Sequence, residues 1–412
     1  MTEELQLPVG RVPDGWKVLS LKDVTSKIGS GSTPRGGASV YVEVGASFIR
    51  SQNVLDHGFS SDGLVRINKE AAYSLRGVEV RKGDVLINIT GDSILRTCIV
   101  PDEVLPAHVS QHVAILRSNG LIEPQVLQKW LSLEVMKDFM LGHSSGGTRK
   151  AVTKGDLERF PVPVPPLAEQ REIASVLGAL DDKIESNHRM GDLLIQLART
   201  MLDTGEIEVR LGDIATCDKG LSYKGDGLEE DLSVGLPMVN LANFGVDGWL
   251  NPEKMKYYSG EYKERHLLRA GDLVVANTDL TQQRVIIGRP ALVPPSLGKA
   301  IFTHHVTAIR PLKDEKLRLP IWAQLNSSAF RERAEGFATG TTVAGMPVET
   351  LLDFHVRIPD VGIICAAQEL LERVWAAESE SRFLKHAREI LMPELLSGRL
   401  RVKDAESMME NV

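Results

Sequence analysis

Three short segments contain residue types that could carry out chemistry. GSGSTPRGG at 29–37 could present backbone amides to a phosphate, DEK at 314–316 has the acid-x-lysine form of a nuclease, and the histidines at 304–305 could bind a metal. The first lacks the spacing of a nucleotide-binding fingerprint, and no suitably spaced Pro-Asp precedes the second. Adjacent strand residues point to opposite faces of a sheet, which separates the histidines. We predict a solvated loop (alternatively a phosphate-contacting turn), a solvated charge run and a structural histidine pair.

Signatures of methyltransferases, nucleotide hydrolases and zinc modules are also missing. The nearest match to a methyltransferase motif, NPEK at 251–254, is typical of a turn, and no G-x-x-x-x-G-K-[ST] occurs. Cys98, Cys217 and Cys365 lie far apart, as in proteins of a reducing cytosol. We therefore expect no cofactor and no metal in this chain. We also expect a cytoplasmic protein without a signal peptide or membrane-spanning segment, because no long apolar run occurs.

Composition is that of an ordinary globular protein. Hydrophobic residues make up 42% and charged residues 25% of the 412 residues, which excludes a disordered or disulfide-built chain. At about 150 residues per domain, this length predicts two to three domains. The formal net charge is -7, so charge alone does not indicate a nucleic-acid-binding protein.

Segments of the first half recur, in the same order, in the second half. The offset stays between 188 and about 194 residues, which predicts a duplicated domain and excludes a solenoid of short repeats. The matching pairs are WKVLSLKDVTSKI (16–28) with IEVRLGDIATCDK (207–219), VEVRKGDV (78–85) with HLLRAGDL (266–273), VSQHVAILR (109–117) with FTHHVTAIR (302–310), and GGTRKAVTKGDLERFPVPVP (146–165) with GTTVAGMPVETLLDFHVRIP (340–359).

Each copy combines strand-like runs with helical stretches. Runs such as DVLINIT (84–90) and DLVVANT (272–278) are rich in β-branched residues and bounded by turn formers. Helical patterns occupy 124–141 and 319–337. The mixture lacks regular strand–helix alternation and therefore predicts an α+β fold.

A long helix follows each copy. Apolar residues recur at alternating spacings of three and four, with Asn187, Gly191 and Ser381 completing the pattern. Either helix alone could be an amphipathic core helix, but two at equivalent places predict an antiparallel coiled coil, with Pro393 bending or ending the second. The residues expected to pair the helices or dock a partner are Ile173, Leu177, Leu180, Ile184, Leu194, Leu370, Val374, Leu384 and Leu391.

The long helices also carry a family resemblance. PLAEQREIASVLGALDDKIE (166–185) resembles the central conserved region of specificity subunits of type I restriction-modification enzymes, and REILMPELLSGRLRV (388–402) resembles their distal conserved region. The passages at 147–170 and 340–359 resemble the family's transition from recognition domain to helix. The likeness covers essentially the whole chain. One departure is that the second helix begins PDVGIICAAQELLERV, without Pro-Leu-x-Glu-Gln, so we expect weaker or different docking contacts there.

The resemblance implies a non-catalytic DNA-reading subunit. It implies that each recognition domain reads one half of a bipartite, asymmetric site in double-stranded DNA and that the helices set the spacer. It further implies two methyltransferase subunits that use S-adenosylmethionine and two motor-nuclease subunits that use ATP and Mg²⁺. The alternatives are a stand-alone methyltransferase or nuclease with an unrecognised motif, and a duplicated interaction scaffold. The expected boundaries are 1–165 and 206–360 for the recognition domains, and 166–205 and 361–412 for the helices and tail.

Residues that read DNA should be hydrogen-bonding groups on polar or glycine-containing loops, chiefly Arg or Lys for guanine and Asn or Gln for adenine. The loops at 146–150 and 340–342 recur in both halves, so they are expected to contact phosphate or to shape the turn into the helix. The candidate DNA-contacting residues are Ser32, Thr33, Arg35, Arg50, Gln52, Asn53, Arg96 and Arg149 in the first domain, and Lys219, Tyr223, Lys224, Asn243, Thr281, Gln282, Gln283 and Arg284 in the second.

Overall fold

The chain folds into two compact units. The computed structural model describes residues 6–56, 58–143, 151–223, 225–229, 233–245, 248–280, 284–340 and 343–402. Unit 1 comprises Met1–Ile184 and Phe383–Val412, and unit 2 comprises Glu185–Arg382. The division falls within the two long helices, so each helix contributes one part to each unit.

Domain 1 is the globular part of unit 1 that precedes the first long helix. Its strands are β1 (Lys17–Ser20), β2 (Thr25–Ser30), β3 (Tyr41–Val42), β4 (Ala46–Ile49), β5 (Val54–Leu55), β6 (Gly58–Phe59), β7 (Val65–Ile67), β8 (Glu79–Val80), β9 (Val85–Asn88), β10 (Thr97–Ile99), β11 (Ala107–Val109), β12 (Val113–Ser118) and β13 (Pro161–Val164). Its helices are α1 (Leu21–Val24), α2 (Lys69–Ser74), α3 (Pro124–Ser132), α4 (Glu134–Gly142) and α5 (Lys154–Arg159), and the long helix α6 (Leu167–Leu202) follows.

Domain 2 is the corresponding globular part of unit 2. Its strands are β14 (Ile207–Arg210), β15 (Ala215–Lys219), β16 (Leu228–Glu229), β17 (Leu236–Val239), β18 (Lys256–Tyr258), β19 (Leu267–Leu268), β20 (Leu273–Ala276), β21 (Thr278–Asp279), β22 (Pro290–Leu292), β23 (Ala300–Phe302), β24 (Val306–Pro311), β25 (Ala344–Gly345) and β26 (His355–Ile358). Its helices are α7 (Leu211–Ile214), α8 (Arg318–Leu325), α9 (Ser328–Phe337) and α10 (Val348–Leu352), and the long helix α11 (Val361–Ser397) follows.

The two domains have one sheet topology. In domain 1 the order is β10-β9-β12-β2 in one sheet and β3-β7-β4-β11-β8 in another, and β1 pairs with β13. Domain 2 repeats this as β22-β20-β24-β15, β16-β18-β17-β23-β19 and β14-β26. Each five-stranded sheet contains one parallel pair, β4 with β11 and β17 with β23. The predicted α+β fold and its duplication are confirmed.

The recurring GDV/GDL and ILR/AIR segments supply the central strands and a shared ion pair. In domain 1 the buried Asp84 accepts two hydrogen bonds from Arg117, Nε to Oδ1 and Nη2 to Oδ2, both 2.7 Å. In domain 2 Asp272 accepts from Arg310 Nη1 at 2.5 Å. The motifs therefore recur because the ion pair joins two strands of each sheet. It links the turn before β9 to the end of β12 in domain 1, and the turn before β20 to the end of β24 in domain 2.

Loss of the arginine should destabilise domain 1 more than domain 2. The Asp84 side chain has no exposed surface, whereas that of Asp272 is 20% exposed. Arg117→Met leaves a buried unpaired carboxylate, which costs about 3–5 kcal/mol. Arg310→Met should cost clearly less, since water can reach the remaining carboxylate. Urea-induced unfolding of the two variants measures this difference, and equal losses would contradict the burial argument.

Both predicted long helices are present. The part of α6 in unit 1 packs with the end of α11 in one core, in which Ile173, Leu177 and Leu180 share a cluster with Leu391 and Leu395. The part in unit 2 does the same with the start of α11, through Ile195, Ala198 and Leu202 with Ile364, Leu371 and Val374.

Contacts between the helices show that they are antiparallel. In unit 1 the Arg388 guanidinium donates to Asp181 Oδ1 at 2.7 Å. In unit 2 Asn187 Nδ2 donates to Glu380 Oε2 at 2.8 Å. Gly191 also lies beside Val374 in unit 2, so within this unit rising numbers on α6 face falling numbers on α11, as predicted for a coiled coil with one polar layer.

Burial at the other predicted seam positions varies. Ile184 is buried, while Leu194, Leu370 and Leu384 are partly buried. A straight α-helix has 3.6 residues per turn, so an apolar pattern that repeats every 3.5 residues drifts around the helix surface. This drift explains why Ile195 is more buried than Leu194. Pro393 does not end the second helix, because α11 continues to Ser397.

The PLAEQ segment holds the start of α6 against domain 1. Gln170 is buried, and its Nε2 donates to the carbonyls of Leu121 and Pro165 at 3.0 and 2.9 Å. Its Oε1 accepts from the Glu123 amide at 2.7 Å. The Gln324 side chain instead binds the backbone of Arg357 in the strand before α11. Its Nε2 donates to the Arg357 carbonyl at 2.6 Å, and its Oε1 accepts from the Arg357 amide at 2.7 Å. The different opening of the second helix therefore goes with a different junction.

Candidate nucleic-acid interface

Four loops of domain 1 meet at one end of its sheets. The Gly31 amide donates to the Val113 carbonyl at 3.0 Å, which joins the β2 loop to β12. The Ser110 amide donates to the Ile49 carbonyl at 2.9 Å, and Asn88 Nδ2 donates to the Ser51 carbonyl at 2.9 Å. We call the resulting surface, formed by residues 31–36, 50–53, 89–96 and 110–112, loop face 1.

Most of the predicted DNA-contacting residues of domain 1 lie on loop face 1. Ser32, Thr33, Arg35, Gln52 and Arg96 are exposed. Among the described residues the Arg35 and Arg96 guanidinium groups have no hydrogen-bonding partner, so both are available to a ligand. The structure therefore gathers residues that are distant in sequence onto one surface.

Two further residues of this face are partly engaged. Arg50 is partly buried, and its Nη2 donates to the Gly63 carbonyl at 2.7 Å. Gln111, which is not among the predicted residues, is exposed, and its Oε1 accepts a hydrogen bond from Thr33 Oγ1 at 3.4 Å. The recurrence of 111–112 as 304–305 was the signal that could have identified it.

Asn53 is a correction to the predicted interface. Its side chain is fully buried, with Oδ1 accepting from the Arg50 amide at 3.0 Å and Nδ2 donating to the Ser60 carbonyl at 2.9 Å. In domain 2 Asn243 is equally buried and makes the same contacts with the Asn240 amide and the Asn251 carbonyl, both at 2.9 Å. Both amides are thus occupied in shaping a turn, because a capped turn needs a short polar side chain, and neither can reach a base.

Domain 2 forms an equivalent surface. The Leu221 amide donates to the Phe302 carbonyl at 2.8 Å, and the His304 amide donates to the Leu221 carbonyl at 2.9 Å. The Met346 amide donates to the Asn277 carbonyl at 2.8 Å. We call the surface formed by residues 219–223, 277–280, 284–289, 303–305 and 343–346 loop face 2.

Three predicted residues of domain 2 lie on loop face 2 with different exposure. Lys219 is exposed at the end of β15. Tyr223 is partly buried, with its ring 6.0 Å from that of Tyr258. Arg284 has a left-handed backbone (φ 52°) and directs its guanidinium to the carbonyls of Ala338 and Gly340, both at 3.4 Å.

The remaining candidates fall outside the described residues. These are Arg149, Lys224, Thr281, Gln282 and Gln283, together with the shared loop at 146–150 and positions 341–342 of its counterpart. Their proposed role stays a prediction.

The histidine pair lies in a turn, which corrects the strand positions assumed from sequence. His304 and His305 connect β23 to β24, and their ring centroids are 3.9 Å apart. Thr278 Oγ1 lies 2.8 Å from His305 Nδ1. Burial, and then the charges of His304 and Lys219, lower the pKa of His305 below its ordinary value. No group of three or more metal-ligating side chains occurs among the described residues.

Two other sequence features have local structural roles. Asp314 Oδ1 accepts from the Lys316 amide at 2.9 Å and so caps the short 3₁₀ turn Glu315–Leu317. Gly31 must be glycine, since a Cβ there would lie 1.8 Å from the Val109 carbonyl oxygen. Within the described part of the chain, no helix is long and apolar enough to cross a membrane.

Comparison with known proteins agrees with this architecture. Residues 13–193 match the model of the type I restriction modification DNA specificity domain. The type I restriction enzyme MjaVIII specificity subunit of Methanocaldococcus jannaschii is 22% identical, covering 96% of this chain and 95% of that protein. The EcoBI specificity subunit of Escherichia coli is 32% identical over 35% of this chain and 31% of that protein.

A solved structure shows the same fold. The crystal structure of a type I restriction-modification system S subunit from M. genitalium has 12% identity and a TM-score of 0.59, covering 95% of this chain and 99% of that chain. Over residues 13–193 the chain is therefore similar to the type I restriction modification DNA specificity domain, and over nearly its whole length it is similar to type I restriction enzyme specificity subunits.

Proposed function

We propose that this chain recognises DNA sequence for a type I restriction-modification complex, with each domain reading one half of a bipartite, asymmetric site. The observation that carries the proposal is the duplicated loop face. The two domains share one topology, but the side chains at equivalent positions differ: Gln111 corresponds to His304, and Ser30 at the end of β2 corresponds to Lys219 at the end of β15. A rigid scaffold with variable loops suits two readers of different sequences.

The exposed side chains of loop face 1 have the chemistry that base reading requires. Arg35 and Arg96 are guanidinium donors that can pair with O6 and N7 of guanine, and the Gln52 amide can pair with adenine. All three are exposed on loops at one end of the sheets. A single duplex could therefore contact them together.

The long helices are proposed to set the spacer and to dock two methyltransferase subunits. Each helix has exposed apolar residues away from its seam: Met190, Leu193 and Leu197 on α6, and Phe383 and Ile390 on α11. Exposed apolar groups at helical spacing are typical of helix-packing interfaces. One such surface on each helix fits two copies of one partner.

We extend the proposal to the wider complex that the resemblance implies. Two methyltransferase subunits with S-adenosylmethionine would modify adenine, and two motor-nuclease subunits with ATP and Mg²⁺ would translocate and cut unmodified DNA in the cytoplasm. The net charge of -7 fits this division of work. Partner subunits can neutralise phosphates, because salt-dependent affinity and base reading are separable tasks.

Exchange of domain 1 tests the two-reader proposal. Residues 1–165 are replaced by the corresponding domain of another family member, which keeps β1 together with its partner β13. One half of the methylated motif should change and the other half should persist, since the reading loops of domain 2 are untouched. Single-molecule sequencing of DNA from cells that carry the chimera and its methyltransferase partner gives the motif.

The reciprocal exchange of 206–360 is the matched control and should change only the other half. A change in both halves would contradict independent readers and favour a composite site. The purified chain with S-adenosylmethionine and the same DNA is the negative control. Methyl transfer by the chain alone would instead support the stand-alone methyltransferase.

A further inference from the structure

The two loop faces share a histidine–threonine pair. In domain 1 Thr90 Oγ1 lies 2.7 Å from His112 Nδ1, and in domain 2 Thr278 Oγ1 lies 2.8 Å from His305 Nδ1. Equivalent backbone hydrogen bonds fix the two pairs. The Ile89 amide donates to the His112 carbonyl and the Asn277 amide to the His305 carbonyl, both at 3.0 Å. The pair is therefore the same element in both copies.

Other residues that the two domains share have structural explanations. Gly31 and Gly220 lie too close to backbone for any Cβ. Asn53 and Asn243 cap buried turns, and the Asp84–Arg117 and Asp272–Arg310 ion pairs join strands. The histidine–threonine pairs differ from these, because His112 is exposed and His305 partly exposed. Because the pair is identical in both domains and its histidine is accessible, we infer that both domains use it to bind the same kind of ligand.

Two domains that read different base sequences have the sugar–phosphate backbone in common. This step rests on the proposed function. A group that is the same in both domains gains nothing from contact with bases that differ, whereas phosphates are the same at every site. By the same reasoning, Gln111 and His304 precede the shared histidines and differ between the domains, so they belong with the base-reading groups.

We propose that His112 and His305 each bind one DNA phosphate, independently of sequence, through Nε2. Nε2 is the donor nitrogen in the tautomer in which the threonine hydroxyl donates to Nδ1. In domain 1 the Gln111 side-chain nitrogen lies 3.3 Å from His112 Nε2, so a bound phosphate would replace that contact. An arginine precedes the strand two positions away in the sheet in each domain, Arg96 before β10 and Arg289 before β22.

Two near-isosteric variants separate this role from a loop-bracing role. In His112→Asn the side-chain amide replaces Nδ1 and can still bond Thr90, but nothing replaces Nε2. In His112→Gln the amide nitrogen occupies the Nε2 position, and the contact with Thr90 is lost. We expect the Asn variant to bind DNA roughly tenfold more weakly, as for loss of a hydrogen bond to a charged group. The Gln variant should bind nearly as well as the wild type.

The measurement uses the chain in complex with its methyltransferase partner, on duplexes that carry the site or a scrambled sequence. The Asn variant should lose the same factor on both duplexes. Methylphosphonate is then placed at each phosphate in turn. At one phosphate in each half-site, the neutral linkage and the Asn substitution should remove the same contact. Combining them should therefore weaken DNA binding no more than either change alone. His305→Asn and His305→Gln should behave likewise in the other half-site.

Gln52→Ala is the matched control, because Gln52 is an exposed base-reading candidate of loop face 1, and it should weaken binding of the specific duplex only. Additive losses at every phosphate would overturn the proposal, as would an Asn variant that binds normally while the Gln variant fails, because that pattern assigns the histidine to bracing the loops. Failure of the wild-type complex to prefer its site over the scrambled duplex would instead overturn the proposed function.

Discussion

Replacing Leu180 and Ile184 with aspartate should separate the two long helices in unit 1. Both side chains are more than 90% buried, and Leu180 belongs to the cluster that contains Leu391 and Leu395. Each substitution removes a large apolar group, which costs about 2–5 kcal/mol, and adds an unpaired carboxylate that costs several more. Since a domain is stable by roughly 5–15 kcal/mol in total, the double variant should lose the helix pair and weaken domain 1 with it.

Circular dichroism and urea-induced unfolding should show this loss, and native mass spectrometry of the complex should show fewer methyltransferase copies per chain. Ser186→Asp with His188→Asp is the matched control, because both residues are exposed on α6 within about one turn of Ile184. The control should unfold at the wild-type urea concentration. Two bound partner copies on the Leu180 and Ile184 variant would contradict the role of the helix pair.

Features that repeat in the sequence were the ones that sequence reasoning predicted best. Four matched segments predicted the duplication, and the 3–4 spacing predicted one long helix within 166–205 and another within 361–412, where the structure has Leu167–Leu202 and Val361–Ser397. These signals succeed because helix periodicity and core alternation are averaged over many residues. The four-part division of the chain itself stays a prediction.

Breaks within helical patterns were not visible in the sequence. The pattern at 124–141 forms two helices, because Leu133 has an extended backbone (ψ 132°) between α3 and α4. The pattern at 319–337 likewise breaks between Leu325 and Ser328. Single extended residues leave the apolar pattern on either side intact, so periodicity does not detect them.

The candidate interface was harder to predict because polar residue types serve two purposes. Asn53 and Asn243 have the amide that reads adenine, yet the same amide caps a turn, and only burial distinguishes the two roles. Gln111 was not predicted, although it belongs to a segment that recurs in both halves. Which loops converge depends on sheet topology, and pairings such as β2 with β12 join residues more than 80 positions apart. Local patterns carry no information about such pairings.

Lengthening both long helices should lengthen the unread spacer of the DNA target. Four residues are inserted in α6 after Asn187 and four in α11 after Ala377, which face each other through the Asn187 amide. Because the helices are antiparallel, equal insertions keep the contacts on either side in place. Four residues add about 6 Å of helix, and one base pair advances roughly 3.4 Å. The spacer should therefore grow by about one or two base pairs, while both half-site sequences persist.

Single-molecule sequencing of methylated DNA reads the spacer directly. Each added base pair also turns the duplex by roughly a tenth of a helical turn, so affinity can fall even where the length fits. The spacer in the methylated motif is therefore a better measure than binding strength. Four residues inserted after Glu261, in an exposed segment between β18 and β19, provide the control and should leave the spacer unchanged. An active enzyme with longer helices and the original spacer would show that the helices do not measure the distance, and it would leave the two-reader proposal intact.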